Sequence, residues 1–83
     1  MTKQQIPEAQ LIDVINNELV SRWPHKTQTC RVERLRKISF PERNWEIDTM
    51  SNGGPDLAHV ETCDELRNAV LGELSSKYDV QWP

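Results

Sequence analysis

The sequence predicts a small single-domain α+β fold of order α-β-β-(β)-α, with two helices packed on one face of a short antiparallel sheet. Three observations lead there. Two segments carry aliphatic residues at three- and four-residue spacing. Between them lie runs rich in β-branched and aromatic residues. The runs are separated by turn-forming stretches, Pro41-Glu42-Arg43-Asn44 and Asn52-Gly53. At 83 residues, with no internal repeat, low-complexity segment or linker, the chain is long enough for one domain only.

The first helix is predicted over residues 7–22. Pro7 suits the first helical position, where its missing N–H costs nothing. Glu8 complements the positive end of the helix dipole. Leu11, Ile12, Ile15, Leu19 and Trp23 form the apolar stripe. Pro24 stops the helix by forcing Trp23 out of the α region.

Residues 28–40 and 45–50 read as two strands joined by the four-residue loop Pro41–Asn44. That loop places Phe40 opposite Trp45, Ile38 opposite Ile47 and Lys37 opposite Asp48. The alternation is imperfect. Cys30, Val32, Ile38 and Phe40 share one parity with Arg34 and Arg36, whereas Leu35 has the other. Either a bulge near residues 33–35 resets the faces, or the arginines reach out from the sheet edge with their stems packed; a short helix over residues 31–37 is the weaker alternative. Asn52-Gly53 then predicts a reversal into a short third strand over Leu57–Val60, confined to an edge by Pro55.

The second helix is expected to open at Thr62, with Thr62 and Glu65 forming a capping box. Leu66, Ala69, Val70, Leu74 and Tyr78 supply its apolar face, and Glu73 and Lys77 an i,i+4 ion pair. The tail Val80-Gln81-Trp82 lays Val80 and Trp82 against the body of the domain.

No apolar run approaches the roughly 20 residues needed to cross a bilayer. The N-terminal stretch MTKQQIPEAQ lacks the apolar core of a signal peptide, which predicts a soluble, cytoplasmic protein. In that compartment Cys30 and Cys63 are expected to be reduced and to pack as small hydrophobes. The net charge of −3 conceals an asymmetry. Residues 1–43 carry eight Lys/Arg and five Asp/Glu, whereas residues 44–83 carry two and eight. The basic charge concentrates in Arg31, Arg34, Arg36 and Lys37. Such a split marks either a nucleic-acid patch or two surfaces that attract one another.

Other constellations are weaker. His25, Cys30, His59 and Cys63 are the atom types of a zinc site, but they form no Cys-x2-Cys or His-x3-His pair. Cys63 at a helix start with His59 nearby resembles an activated thiol. Glu61, Asp64 and Glu65 beside it disfavour the thiolate. Asn52-Gly53-Gly54 resembles a phosphate loop, yet Pro55 removes a donor and acidic residues crowd the site. Asp56, Asp64 and Glu65 do not follow a calcium-loop spacing. Glu46 and Asp48 alternate onto a solvated strand face.

The sequence therefore predicts no catalytic residues, cofactor, metal or small-molecule substrate, and no membrane contact. The expected role is non-enzymatic, through contact with a protein partner or a second copy of the chain. Nucleic-acid binding by Arg31, Arg34, Arg36 and Lys37 is the alternative, and thiol or metal chemistry at His59/Cys63 the third.

Overall fold

The computed structural model describes residues 3–26, 28–51 and 57–83. The elements follow as β1 (Gln4–Ile6), α1 (Glu8–Arg22), β2 (Arg31–Lys37), β3 (Trp45–Ser51), α2 (Leu57–Ser75) and β4 (Tyr78–Val80). β2 and β3 form an antiparallel hairpin, and β1 pairs with β4 in parallel. The predicted α+β class is thus observed, and the terminal pair β1–β4 is added to it. α1 packs against both β2 and α2.

α1 forms where its stripe places it. Leu11, Ile15 and Leu19 are buried, and Ile12, Val14 and Trp23 pack beside them. Pro7 stands one position outside the helix, at φ −61° and ψ 152°, and its carbonyl accepts the Leu11 N–H at 3.1 Å. Trp23 is extended at φ −71° and ψ 119°, as a residue before proline must be.

The hairpin corrects the expected register. Lys37 faces Trp45, Arg36 faces Glu46 and Leu35 faces Ile47. The turn is therefore longer than four residues. Ile38 N–H donates to the Asn44 carbonyl at 3.2 Å, and Phe40 N–H to that of Arg43 at 3.3 Å. Phe40, expected to pair with Trp45 inside, is 57% exposed instead. Trp45 is fully buried because its indole N–H has a partner, the Tyr78 carbonyl at 3.0 Å. Of the alternatives for the imperfect alternation, the bulge is present. The register is interrupted between Val32 and Arg34 and again between Arg34 and Leu35. This reverses the parity, so Val32 and Leu35 both face the core although they lie three residues apart.

Residues 57–60 are not a third strand but the first turn of α2. An edge strand there would leave one side of its backbone unpaired, whereas a helix satisfies its backbone groups internally. The apolar face shows the continuity: His59, Cys63, Leu66, Val70 and Leu74 follow one another at three- and four-residue steps. Thr62 consequently lies inside the helix. Its hydroxyl donates back to the Ala58 carbonyl at 2.9 Å, so it makes no capping box. The helix ends at Ser75, which leaves Lys77 outside and removes the expected Glu73–Lys77 pair; Glu73 binds Arg22. The Asn52-Gly53 turn, with Gly54, Pro55 and Asp56, lies outside the described residues.

The core draws on every element, with Ile6 from β1, Val32 and Leu35 from β2, Val70 and Leu74 from α2, and Val80 from β4. Asn44 locks the terminal pair to the hairpin. Its side-chain amide donates to the Val80 carbonyl and accepts the Val80 N–H, both at 2.8 Å. Its own carbonyl accepts the Trp82 indole N–H at 2.9 Å. The tail docks as the sequence predicts, with Val80 buried and Trp82 partly so.

Candidate functional site

Arg31, Arg34, Arg36 and Lys37 are all exposed on β2. Side chains alternate between the faces of a strand. With Val32 and Leu35 inward and the bulge between them, Arg31, Arg34 and Arg36 come to the outer face. The sequence had divided these three between two faces. The bulge unites them, and all three are exposed, Arg31 at the mouth of a cleft against α1.

On this face Arg36 is held by Glu46, its cross-strand partner. That hydrogen bond raises the Arg36 pKa and lowers that of Glu46 below its ordinary 4.5. Arg43 stands 3.9 Å from the same carboxylate. Among the described residues, Arg31, Arg34 and Lys37 carry no ion pair. Two features set the position of the strand itself. Asn16 on α1 pairs its amide with the Val32 backbone, accepting the N–H at 2.7 Å and donating to the carbonyl at 3.1 Å. Glu8 accepts the Leu35 N–H at 3.1 Å. Side chains of α1 thus occupy the free edge of β2, where a further strand would otherwise add.

The opposite charge gathers on α2. Glu61, Asp64 and Glu65 are exposed, and none of them pairs with a cation among the described residues. Arg22 bridges Glu18 at 3.3 Å and binds Glu73; the bond to Glu73 is the largest cause of its raised pKa.

The four His and Cys residues, scattered in the sequence, gather at the N-terminal half of α2. Cys30 and Cys63 are joined as a disulfide, with Cα atoms 6.1 Å apart. This corrects the expectation of two free thiols, because folding brings together two residues separated by 33 positions. The same bond leaves Cys63 without a nucleophilic thiol in this state. The His25 and His59 rings lie 4.5 Å apart, and Trp23 packs at 5.1 Å from His25 and 6.0 Å from His59. His25 Nε2 is 3.0 Å from Thr62 Oγ1. The signal that could have announced this grouping is the pair of short spacings, His25-x4-Cys30 and His59-x3-Cys63.

A shallow cleft of about 470 Å³ runs between α1 and the segment before β2, lined by Asp13, Asn16, Asn17, Gln28, Thr29 and Arg31 among others. It holds one carboxylate and no histidine or cysteine, so it presents no acid–base or nucleophile–base pair. Among the described residues no helix is long and apolar enough to cross a membrane. The chain matches no known protein-family model, and no curated protein or solved structure shows significant similarity to it.

Proposed function

We propose that the chain is a non-enzymatic interaction domain that associates through the outer face of β2, most simply with a second copy of itself. The observation that carries the reading is the separation of charge. The cations Arg31, Arg34 and Lys37 and the anions Glu61, Asp64 and Glu65 are exposed on different elements, and none of them forms an ion pair among the described residues. Two copies related by a two-fold axis would bring each basic strand to the other's acidic helix, satisfying both patches twice. Phe40 supports a protein partner: it is a 57% exposed aromatic on the hairpin, three residues beyond Lys37. Aromatic and arginine side chains are the groups enriched at protein interfaces.

Sedimentation at low and high salt tests the reading. We expect a dimer at low salt that dissociates as salt screens the patches. Arg31→Glu with Arg34→Glu should give a monomer, as should Glu61→Lys with Glu65→Lys. Mixing the two variants should restore association. A strict monomer at both salts and high protein concentration overturns the reading.

One observation favours nucleic acid as a second reading. Arg31, Arg34 and Arg36 line one face of a two-stranded ribbon, and such a ribbon can enter a major groove. Glu33, Glu46 and Asp48 on the same hairpin, and the net charge of −3, work against it. Chemical-shift titration with short single- and double-stranded oligonucleotides at low salt decides, and unmoved β2 resonances remove it. A cytoplasmic setting belongs to our proposal as well. It implies that Cys30 and Cys63 are trapped as thiols when cells are lysed into an alkylating agent; a fully oxidised pair overturns that part.

A further inference from the structure

We propose that reduction of the Cys30–Cys63 bond uncovers a zinc site formed by both cysteines with His25 and His59. Zinc in structural sites takes four nitrogen and sulfur ligands in a tetrahedron, commonly as two pairs, each pair close in sequence. Here each pair is mixed. His25 and Cys30 flank four residues ahead of β2, and His59 and Cys63 lie one turn apart on a single face of α2. The fold sets the two pairs against one another. The cysteines are already within bonding distance, and the histidine rings are 4.5 Å apart. His25 reaches Thr62, the residue next to Cys63, at 3.0 Å, so both pairs meet at the same turn of α2.

The hydrogen bonds assign the tautomer of His25. The single Thr62 hydroxyl proton goes to the Ala58 carbonyl. Toward His25, Thr62 Oγ1 can therefore only accept, so Nε2 carries the proton and Nδ1 keeps its lone pair for a metal. An outer hydrogen bond from the second ring nitrogen is the usual companion of a metal-bound histidine. Cys30 and Cys63 are buried at 0% and 4% exposure, and the half-buried His25 and His59 rings meet the Trp23 ring in edge-on and tilted contacts. In the structure as it stands, the described residues hold no group of three or more His, Cys, Asp or Glu placed for a metal ion. The disulfide occupies both sulfurs, so the site we propose requires its reduction.

The chemistry balances with a dithiol as reductant. It supplies two electrons and two protons, opens the Sγ–Sγ bond to two thiols, and is itself oxidised to a disulfide. Each thiol then releases its proton to solvent as its sulfur binds Zn²⁺. Oxidation would reverse both steps and expel the ion.

The experiment compares the full chain in its two redox states, using a phosphine reductant that does not compete for metal. After Zn²⁺ is added and the excess removed, elemental analysis should find one zinc per reduced chain and none per oxidised chain. Co²⁺ as a probe should give the intense visible bands and sulfur-to-cobalt charge transfer of tetrahedral coordination. His25→Ala and His59→Ala should each weaken zinc binding by more than about 100-fold, the upper end of outer-shell losses. Thr62→Val should weaken it about 10- to 100-fold. Circular dichroism of the oxidised histidine variants, in which the disulfide persists, separates loss of ligand from loss of fold. Failure of the reduced chain to retain zinc overturns the proposal. Retention unchanged in the His25→Ala/His59→Ala double variant also overturns it, since the thiolates alone would then be the binders.

Discussion

Asn16 and Asn44 do the same work in two places: each uses its side-chain amide as a substitute strand, pairing both backbone groups of one buried residue. Val32 and Val80 are 3% and 2% exposed, so no solvent can replace the lost bonds. Asn16→Ala should therefore destabilise by about 1–3 kcal/mol in urea unfolding. Asn17→Ala, one residue along and exposed, should stay within about 0.5 kcal/mol. Such roles are hard to see in a sequence, where Asn16 reads as an ordinary residue on a polar helix face. Glu46 makes a pH prediction. Its folded pKa is lowered, first by the Arg36 hydrogen bond, so its contribution is present above the unfolded value and lost as pH falls through the folded one. The stability gap between wild type and Glu46→Gln should exist at neutral pH and close in acid, below the ordinary 4.5. The pair is exposed, so the gap should be small.

At the scale of the element, α2 joins what the sequence separates. Gly72 is exposed on the helix, and an added Cβ there would meet nothing within 4 Å. Gly72→Ala should therefore stabilise by about 0.5–1 kcal/mol, read from the urea midpoint. The disulfide ties Cys63 of this helix to the residue that precedes β2, across 33 positions. By the chain-entropy relation its reduction without metal should cost about 3–4 kcal/mol, measurable as a lower melting temperature in reductant. The start of α2 was misread because Asn52-Gly53 is a strong hairpin signal and four residues are too few to show a period. Only the stripe running from His59 to Leu74 distinguishes helix from strand there. The irregularity in β2 was legible, since Leu35 breaks the alternation that its neighbours keep, but the choice of a bulge over outward-reaching arginines was made by the structure.

For the whole molecule, the charge map is the property most open to test. Phe40 adds to it, because an aromatic that is 57% exposed and lies outside the core can be changed with little disturbance of the fold. Phe40→Ser should leave the unfolding free energy within about 0.5 kcal/mol. Its dimer dissociation constant at low salt should rise more than about tenfold, as expected for an interface anchor worth over 1.4 kcal/mol. Equilibrium sedimentation of the two proteins side by side checks both the anchor and the face on which it lies.

Local periodicity determined the α+β class, the stripe Leu11–Ile15–Leu19 and the pairing of two strands around the Pro41–Asn44 turn, because each is written in residues a few positions apart; the bulge it offered as one alternative. The concentration of cations in Arg31–Lys37 was equally plain. Only the tertiary structure decided that Arg31, Arg34 and Arg36 share an open face, since a bulge changes parity without changing composition. It alone paired β1 with β4, three-residue strands too short to carry a pattern, and tied β4 to the hairpin through Asn44 and Trp45. It alone brought His25, Cys30, His59 and Cys63 together. Their proximity depends on how α2 lies against the segment before β2, and contacts between residues 33 positions apart leave no mark on local sequence.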